Sequence, residues 1–343
     1  MKRLAFWVSL LAIFSFAFGS PGFAASKTIK WRMQCAYPPG DSTFEIHSKE
    51  TIKRLENASN GTLKIELFSP GALCSVKEMV NAVSQGMIEM ANIYGPRYAG
   101  SVPVADVEGG LPFTWTSMDQ VVELFWGKPY RLIDVIRSGW EKKNIFYLVP
   151  CGCGSYPFQF NFPMEKIDDL KGHKIRGMGA TGEWLRLAGA SPVVLPGGEI
   201  YMAMKLGTID GTPFPPMILE TLKLKEVVKY VIFPGLVIPP QTCMIVNQDA
   251  WKALPENVRN SVLDEKTLPE FYLRNAKAYQ QTDETALKAA QEIGVKIIHL
   301  PEEETIKGRR IAVEVWDKIG KKNKFSGQAV EILKTYMRDK NML

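Results

Sequence analysis

The sequence predicts an α/β protein of two similar lobes with a ligand cleft between them, on three observations. A short pattern occurs twice, the chain is too long for one core, and no flexible linker separates the halves. Glu78-Met79-Val80-Asn81-Ala82-Val83-Ser84-Gln85-Gly86-Met87-Ile88-Glu89 is echoed by Glu199-Ile200-Tyr201-Met202-Ala203-Met204-Lys205-Leu206-Gly207-Thr208-Ile209-Asp210. Each copy follows one extended apolar run (Leu63–Phe68, Pro192–Leu195) and precedes another (Ile88–Tyr94, Ile209–Phe214). That is strand, helix closed by glycine, strand, made twice. Two distant copies do not make a solenoid; they fit two lobes, and clefts between lobes are where ligands bind. The competing account is a chance match between two common β-α-β units.

The elements follow in chain order. Lys2 and Arg3 precede an apolar stretch from Leu4 to Phe18, and Gly22-Phe23-Ala24 supplies small residues for cleavage, so residues 1–24 read as a secretory signal peptide. The expected location is the periplasm. Roughly 319 mature residues exceed the size at which a single core keeps growing. Ile29–Ala36 reads as a strand turned by Pro38-Pro39-Gly40-Asp41, and a helix from Thr43 to Ala58 stops at Asn60-Gly61. Ser75-x-x-Glu78 reads as a capping box, and Ser117 with Gln120 as a second. Ile145–Val149 is a strand, Cys151–Pro163 a crossover, and Ile238–Asn247 a return crossover. From Pro255 to Ile293 the pattern is helical with an interruption near Pro269. The part beyond that would reach ~37 Å, long enough to touch both lobes. A strand at Val295–Leu300 and two amphipathic helices finish the chain.

Composition excludes several classes. The formal charge is +6, and its basic residues are interleaved with acids, not clustered on one stripe as nucleic-acid binding requires. Five cysteines (Cys35, Cys74, Cys151, Cys153, Cys243) form no disulfide framework, and His47, His173 and His299 are isolated, so no metal or cofactor is expected. Gly177-Met178-Gly179-Ala180-Thr181-Gly182 is a literal dinucleotide pattern. The residues before it, His173-Lys174-Ile175-Arg176, are mostly polar, and the acid at the right distance, Glu199, opens a helix. There is no GxSxG or HExxH motif to support hydrolysis.

Arg176 is the leading binding candidate. It ends a short strand beside a glycine, where its planar fork can take a carboxylate through two parallel hydrogen bonds. The alternative is an ion pair at the surface or within the lobe. Gln34, Tyr37, Tyr94 and Arg97 lie at the ends of first-lobe strands, the usual ligand edge of open α/β sheets. Tyr156, Phe158, Phe214 and Trp115 are candidate walls, with Met178 beside Arg176, although aromatics at crossovers also serve as core.

The series Asp168-Asp169-Leu170-Lys171-Gly172-His173-Lys174-Ile175-Arg176, Ala188-Gly189-Ala190-Ser191-Pro192-Val193, Leu195-Pro196-Gly197-Gly198-Glu199-Ile200-Tyr201 and Leu206-Gly207-Thr208-Ile209-Asp210-Gly211 resembles one family. So do Asn60-Gly61-Thr62-Leu63-Lys64-Ile65-Glu66-Leu67-Phe68 and Val246-Asn247 ahead of Trp251. The family is the solute-binding proteins of tripartite ATP-independent periplasmic (TRAP) transporters, dicarboxylate-binding type. The resemblance implies a two-lobed periplasmic-binding-protein architecture with a long helix spanning both lobes. It also implies an organic-acid ligand, a membrane permease as partner, and Arg176 as the carboxylate anchor. In keto-acid-binding members an acid after the Asp-Gly pair helps hold a cation; Pro213 stands there instead, which puts a bound metal in doubt and leaves open whether a cation co-binds. The expected division is 25–152 with 242–285 as lobe I and 153–241 with 286–343 as lobe II. Whether the protein is a monomer or a dimer stays open. Rival readings are a secreted enzyme acting on a small carboxylic acid in the same cleft, and a receptor's sensor module. The aromatic walls favour a monocarboxylate with some apolar surface.

Overall fold

The computed structural model describes residues 28–237 and 239–343, so the expected signal peptide and its cleavage site lie outside the described residues. The strands are β1 Ile29–Cys35, β2 Leu63–Phe68, β3 Met90–Ile93, β4 Ile145–Gly152, β5 Phe158–Phe160, β6 Lys174–Arg176, β7 Ser191–Val193, β8 Gly211–Pro213, β9 Tyr230–Phe233, β10 Gln241–Asn247 and β11 Lys296–His299. They form two mixed sheets, ordered β2-β1-β3-β10-β4 and β11-β9-β5-β8-β6-β7. Each sheet, with the helices on it, is one lobe.

The sequence repeat is a structural repeat. β1 lies between β2 and β3, parallel to both, as β6 lies between β7 and β8. The repeat helices are Met79–Ser84 and Ile200–Lys205, and each ends in the same way. Met87 N donates to Ala82 O at 2.8 Å and Thr208 N to Ala203 O at 2.8 Å, across glycines with φ of +70° and +71°. Only glycine adopts that left-handed conformation without strain, which is why both copies keep it. The closing acids are structural as well. Glu89 accepts from Arg32 N at 2.7 Å and Asp210 from Lys174 N at 2.8 Å, each tying the repeat to the strand beside it.

Of the two expected caps, one is absent and one is present. Ser75 makes no side-chain cap bond, because it opens a single tight turn ahead of the helix. Ser117 does cap its helix, accepting from Gln120 N at 3.2 Å, while the Gln120 side chain accepts from Thr116 N. The helical stretch after Pro255 breaks at residues 263–266, not at Pro269, since Pro269 sits in the first turn of the helix Thr267–Glu292, where a missing N–H costs nothing. That long helix packs on β4 and the Met118–Trp126 helix of the first lobe and on the Ile218–Thr221 turn of the second.

The segment 286–343, expected to stay with lobe II, divides. β11 extends the second sheet beside β9, but the final helix, Lys324–Asp339, packs on Leu132–Glu141 of the first lobe. Tyr336 meets Tyr130 edge-on at 5.0 Å, and Tyr130 Oη donates to Asp339 at 2.7 Å. The helix Glu302–Gly320 bridges the lobes, because Trp316 Nε1 reaches Pro112 O and Trp184 Nε1 reaches Gly308 O. Gly308 has no room for a Cβ, which would lie 2.6 Å from the Phe113 ring.

Glu108, 1% exposed, places a carboxyl group in the first-lobe core, where it meets Trp140 Nε1 at 2.5 Å and Cys243 Sγ at 3.2 Å. Burial pushes its pKa up to about 8, against those two hydrogen bonds. The folded protein therefore keeps this proton to about pH 8, whereas the unfolded chain releases it near the ordinary carboxylate value. The stabilisation is complete at low pH and is lost as pH rises through that interval. Thermal melts between pH 5 and 9 should show Glu108→Gln losing much less stability with rising pH than the parent protein.

Candidate functional site

The two lobes face each other where the C-terminal ends of β1, β3 and β6 converge. β6 carries Arg176 there by a short run, Lys174-Ile175-Arg176, in which Ile175 enters the core and the next residue turns away. Gly177 lets the next helix, Gly179–Leu187, approach closely: a Cβ on it would lie 2.6 Å from Leu185. The glycine-rich stretch is thus a close strand-to-helix packing.

Arg176 is 9% exposed and forms no ion pair among the described residues. Its Nε donates to Leu195 O at 3.4 Å, and its Cζ lies 5.2 Å from the centre of the Phe214 ring, within cation–π range. Other inward-set arginines are committed differently: Arg309 donates to Phe113 O and Met342 O, and Arg137 to Tyr147 O and Leu148 O. A buried guanidinium without a carboxylate is costly, and an anionic ligand offsets that cost.

Around it stand aromatic side chains from both lobes. Tyr156 lies 5.8 Å from Phe214, ring centre to ring centre. Burial raises the Tyr156 pKa, and the neighbouring Arg176 charge opposes the rise. Tyr94, from the end of β3, is pushed up by burial and by Tyr156, with Arg176 again pulling the other way. Tyr37, at the end of β1, is pushed up chiefly by burial, and Arg97 opposes it. Arg97 itself is exposed at the first-lobe edge, and Met178 is 43% exposed just past Arg176. Tyr37, Tyr94 and Arg97 thus approach from one side, and Tyr156, Arg176 and Phe214 from the other.

Three expected residues lie elsewhere. Gln34 is fully buried and spends its amide on the loop after β2: Oε1 accepts from Leu73 N at 2.7 Å and Cys74 N at 3.1 Å, and Nε2 donates to Cys74 O at 2.8 Å. Phe158 is buried in the second sheet against Phe160 and Trp184, since β5 is a central strand. Trp115 is first-lobe core, with its Nε1 on Pro239 O at 2.7 Å. All five cysteines are free, and among the described residues no group of three or more His, Cys, Asp or Glu is arranged to hold a metal. Open surface hollows of about 620 and 700 Å³ lie away from Arg176, at Arg54–Arg274 and at Arg309–Tyr336. Arg54 and Arg309 are already bonded to backbone carbonyls there.

The sequence reading passed over a fastening at the hinge. His47, Tyr279 and Asp283 are all buried where the crossover after β4 meets the long helix. Asp283 falls on the helix's buried stripe, four residues after Tyr279, and an acid in an apolar stripe was the available signal.

A family model described as bacterial extracellular solute-binding protein, family 7, matches residues 36–323. The monocarboxylate 2-oxoacid-binding periplasmic protein of Nostoc sp. is 26% identical over 319 residues, covering 92% of this chain and 86% of that protein. The C4-dicarboxylate-binding periplasmic protein of Rhodobacter capsulatus is 26% identical over 278 residues, 78% of this chain and 79% of that one. A TRAP transporter solute binding protein from Bordetella bronchiseptica, solved with copurified calcium and picolinate, superposes with a TM-score of 0.76 at 25% identity, covering 92% of this chain and 93% of that one. No helix among the described residues is long and apolar enough to cross a membrane.

The Gln34 assignment can be tested alone. Gln34→Ala should lower the unliganded melting temperature by removing the partner of three half-buried backbone groups, at up to ~1–3 kcal/mol for each group that water cannot reach. Ligand affinity measured on the surviving folded protein should stay close to that of the parent.

Proposed function

This chain belongs to family 7 of the bacterial extracellular solute-binding proteins, the receptors of TRAP transporters, and we propose that it captures a monocarboxylate at Arg176 for delivery to the transporter's membrane subunits. The observation that carries the reading is the buried, unpaired Arg176 guanidinium on its Phe214 platform. A ligand carboxylate takes the two outer guanidinium nitrogens side by side, a geometry that an ammonium cannot reproduce. Tyr94 and Tyr156 set hydroxyl donors from opposite lobes beside that point, suited to a 2-oxo or 2-hydroxy oxygen next to the carboxylate. Phe214 offers apolar surface to the rest of a short side chain. The similarity to a 2-oxoacid-binding relative over 92% of the chain supports this ligand class.

The ligand draws the lobes together because it bonds to both only when they close; capture is a shift of population, without covalent chemistry. The protein acts outside the cytoplasm, and residues 1–24 serve as its export signal. Tyr37 and Arg97 complete the first-lobe wall, Arg97 as an outer attraction for the anion.

A thermal-shift series with pyruvate, 2-oxobutanoate, succinate and sialic acid identifies the class, since a ligand at ~100 times its dissociation constant adds ~2.7 kcal/mol. Titration calorimetry with the best of these acids should show Arg176→Ala losing ~2–5 kcal/mol of affinity, with Arg176→Lys recovering only part. The unliganded melting temperature of Arg176→Ala should be unchanged or higher, an unpaired buried charge having been removed. Normal affinity in Arg176→Ala, with a lowered melting temperature, would assign this arginine to lobe stability instead.

A further inference from the structure

We propose that Asp283 is a positioning residue of the ligand site: from the long helix, its carboxylate holds the two second-lobe segments that carry Tyr156 and Phe214. One oxygen, Oδ2, accepts from Ser155 N at 3.0 Å, and the other, Oδ1, accepts from Met217 N at 3.1 Å. Ser155 immediately precedes Tyr156, and Met217 follows Phe214 by three residues. The two bonds therefore fix the spacing of the aromatic pair that flanks Arg176. The approach is so close that Gly154, at φ +54°, has no room for a side chain: a Cβ would lie 1.8 Å from Oδ2.

The same turn of helix is fastened to the first lobe. Thr282 Oγ1 meets Ser42 Oγ at 3.3 Å, and the Tyr279 ring stacks on His47 at 5.6 Å, whose Nε2 meets Gly152 O at 3.0 Å. Asp283 thus refers the second-lobe walls to a frame anchored on the first lobe.

No cation pairs with Asp283 among the described residues. The groups that face it are Glu284 on its own helix, Tyr279 one turn back and Cys153 from the crossover. Asp41 lies beyond, beside Tyr279 and Cys153, and His47 is held neutral by burial. Burial pushes the Asp283 pKa up to about 7, with the two N–H groups pulling it down and Glu284 pushing it up. The ionised carboxylate accepts both amides at full strength; once protonated, its hydroxyl oxygen is a poor acceptor and one of the two N–H bonds weakens. The grip is therefore complete above pH 7 and partial below it. Stability runs the other way: the folded state holds this proton longer than the unfolded chain, so the carboxyl's contribution to stability falls as pH rises from the ordinary aspartate range through about 7.

The affinity effect rests on the proposed function; the grip itself does not. Hydrogen–deuterium exchange of unliganded protein, corrected for intrinsic rates, reads the Ser155 and Met217 amides at pH 6 and pH 8. Calorimetry with pyruvate reads affinity at the same two pH values. The parent should gain protection at both amides and bind pyruvate several-fold more tightly at pH 8. The isosteric Asp283→Asn accepts only one amide, so it should be less protected at pH 8. It should bind about tenfold more weakly there, as expected for loss of one good hydrogen bond. Its affinity should be flat with pH, and its melting temperature at pH 8 equal or higher, a buried charge having been removed. Superimposable affinity profiles for the two proteins would overturn the proposal. Failure of pyruvate to bind the parent would count against the ligand class alone; amides equally protected in Asp283→Asn would still overturn the grip.

Discussion

Taking a guanidinium out of water without a carboxylate beside it costs several kcal/mol, and this fold bears that cost at Arg176. The surrounding elements make the cost tolerable without cancelling it. The Leu195 carbonyl takes one N–H, the Phe214 ring lies under the charge, and Gly177 lets the following helix pack close behind the strand end. On the proposed reading, what remains is an anion site whose missing partner comes from outside the protein. In the proposed function, closing of the lobes follows from the same imbalance, with Tyr37 and Tyr94 enclosing the bound carboxylate.

The internal repeat places two different side chains at equivalent positions of one scaffold. With Ile88-Glu89 and Ile209-Asp210 as matching residues, the registers Met33 to Met90 and Ile175 to Gly211 make Gln34 the counterpart of Arg176. Both side chains reach the loop after the neighbouring strand, at residues 73–74 and 195. Glutamine satisfies itself there completely. Arginine spends its Nε on Leu195 O, and in the proposed function its outer nitrogens take the ligand.

Much of this was legible in the sequence, because the signals were local. The glycine-closed repeat, the strand-end arginine and the long helical stretch each depend on residues close together in the chain, and the structure has all three. Gln34 and Phe158 were misplaced because the direction of a strand side chain depends on register and on whether its strand is central, which neighbours in sequence do not state. The last helix carries a clear amphipathic stripe, but a stripe does not say which surface it will cover, and Tyr336 found Tyr130 in the first lobe. Asp283 was missed for a related reason: an acid in a lysine- and glutamate-rich helix looks solvated until its position on the buried stripe is known.

The most direct measurement is a crystal structure of the protein with pyruvate or the tightest-binding 2-oxo acid. This account predicts the ligand carboxylate in two parallel hydrogen bonds to the outer nitrogens of Arg176, above Phe214, with the Tyr94 and Tyr156 hydroxyls at the 2-oxo end. A carboxylate held elsewhere, with Arg176 unchanged on Leu195 and its outer nitrogens in solvent, would contradict it.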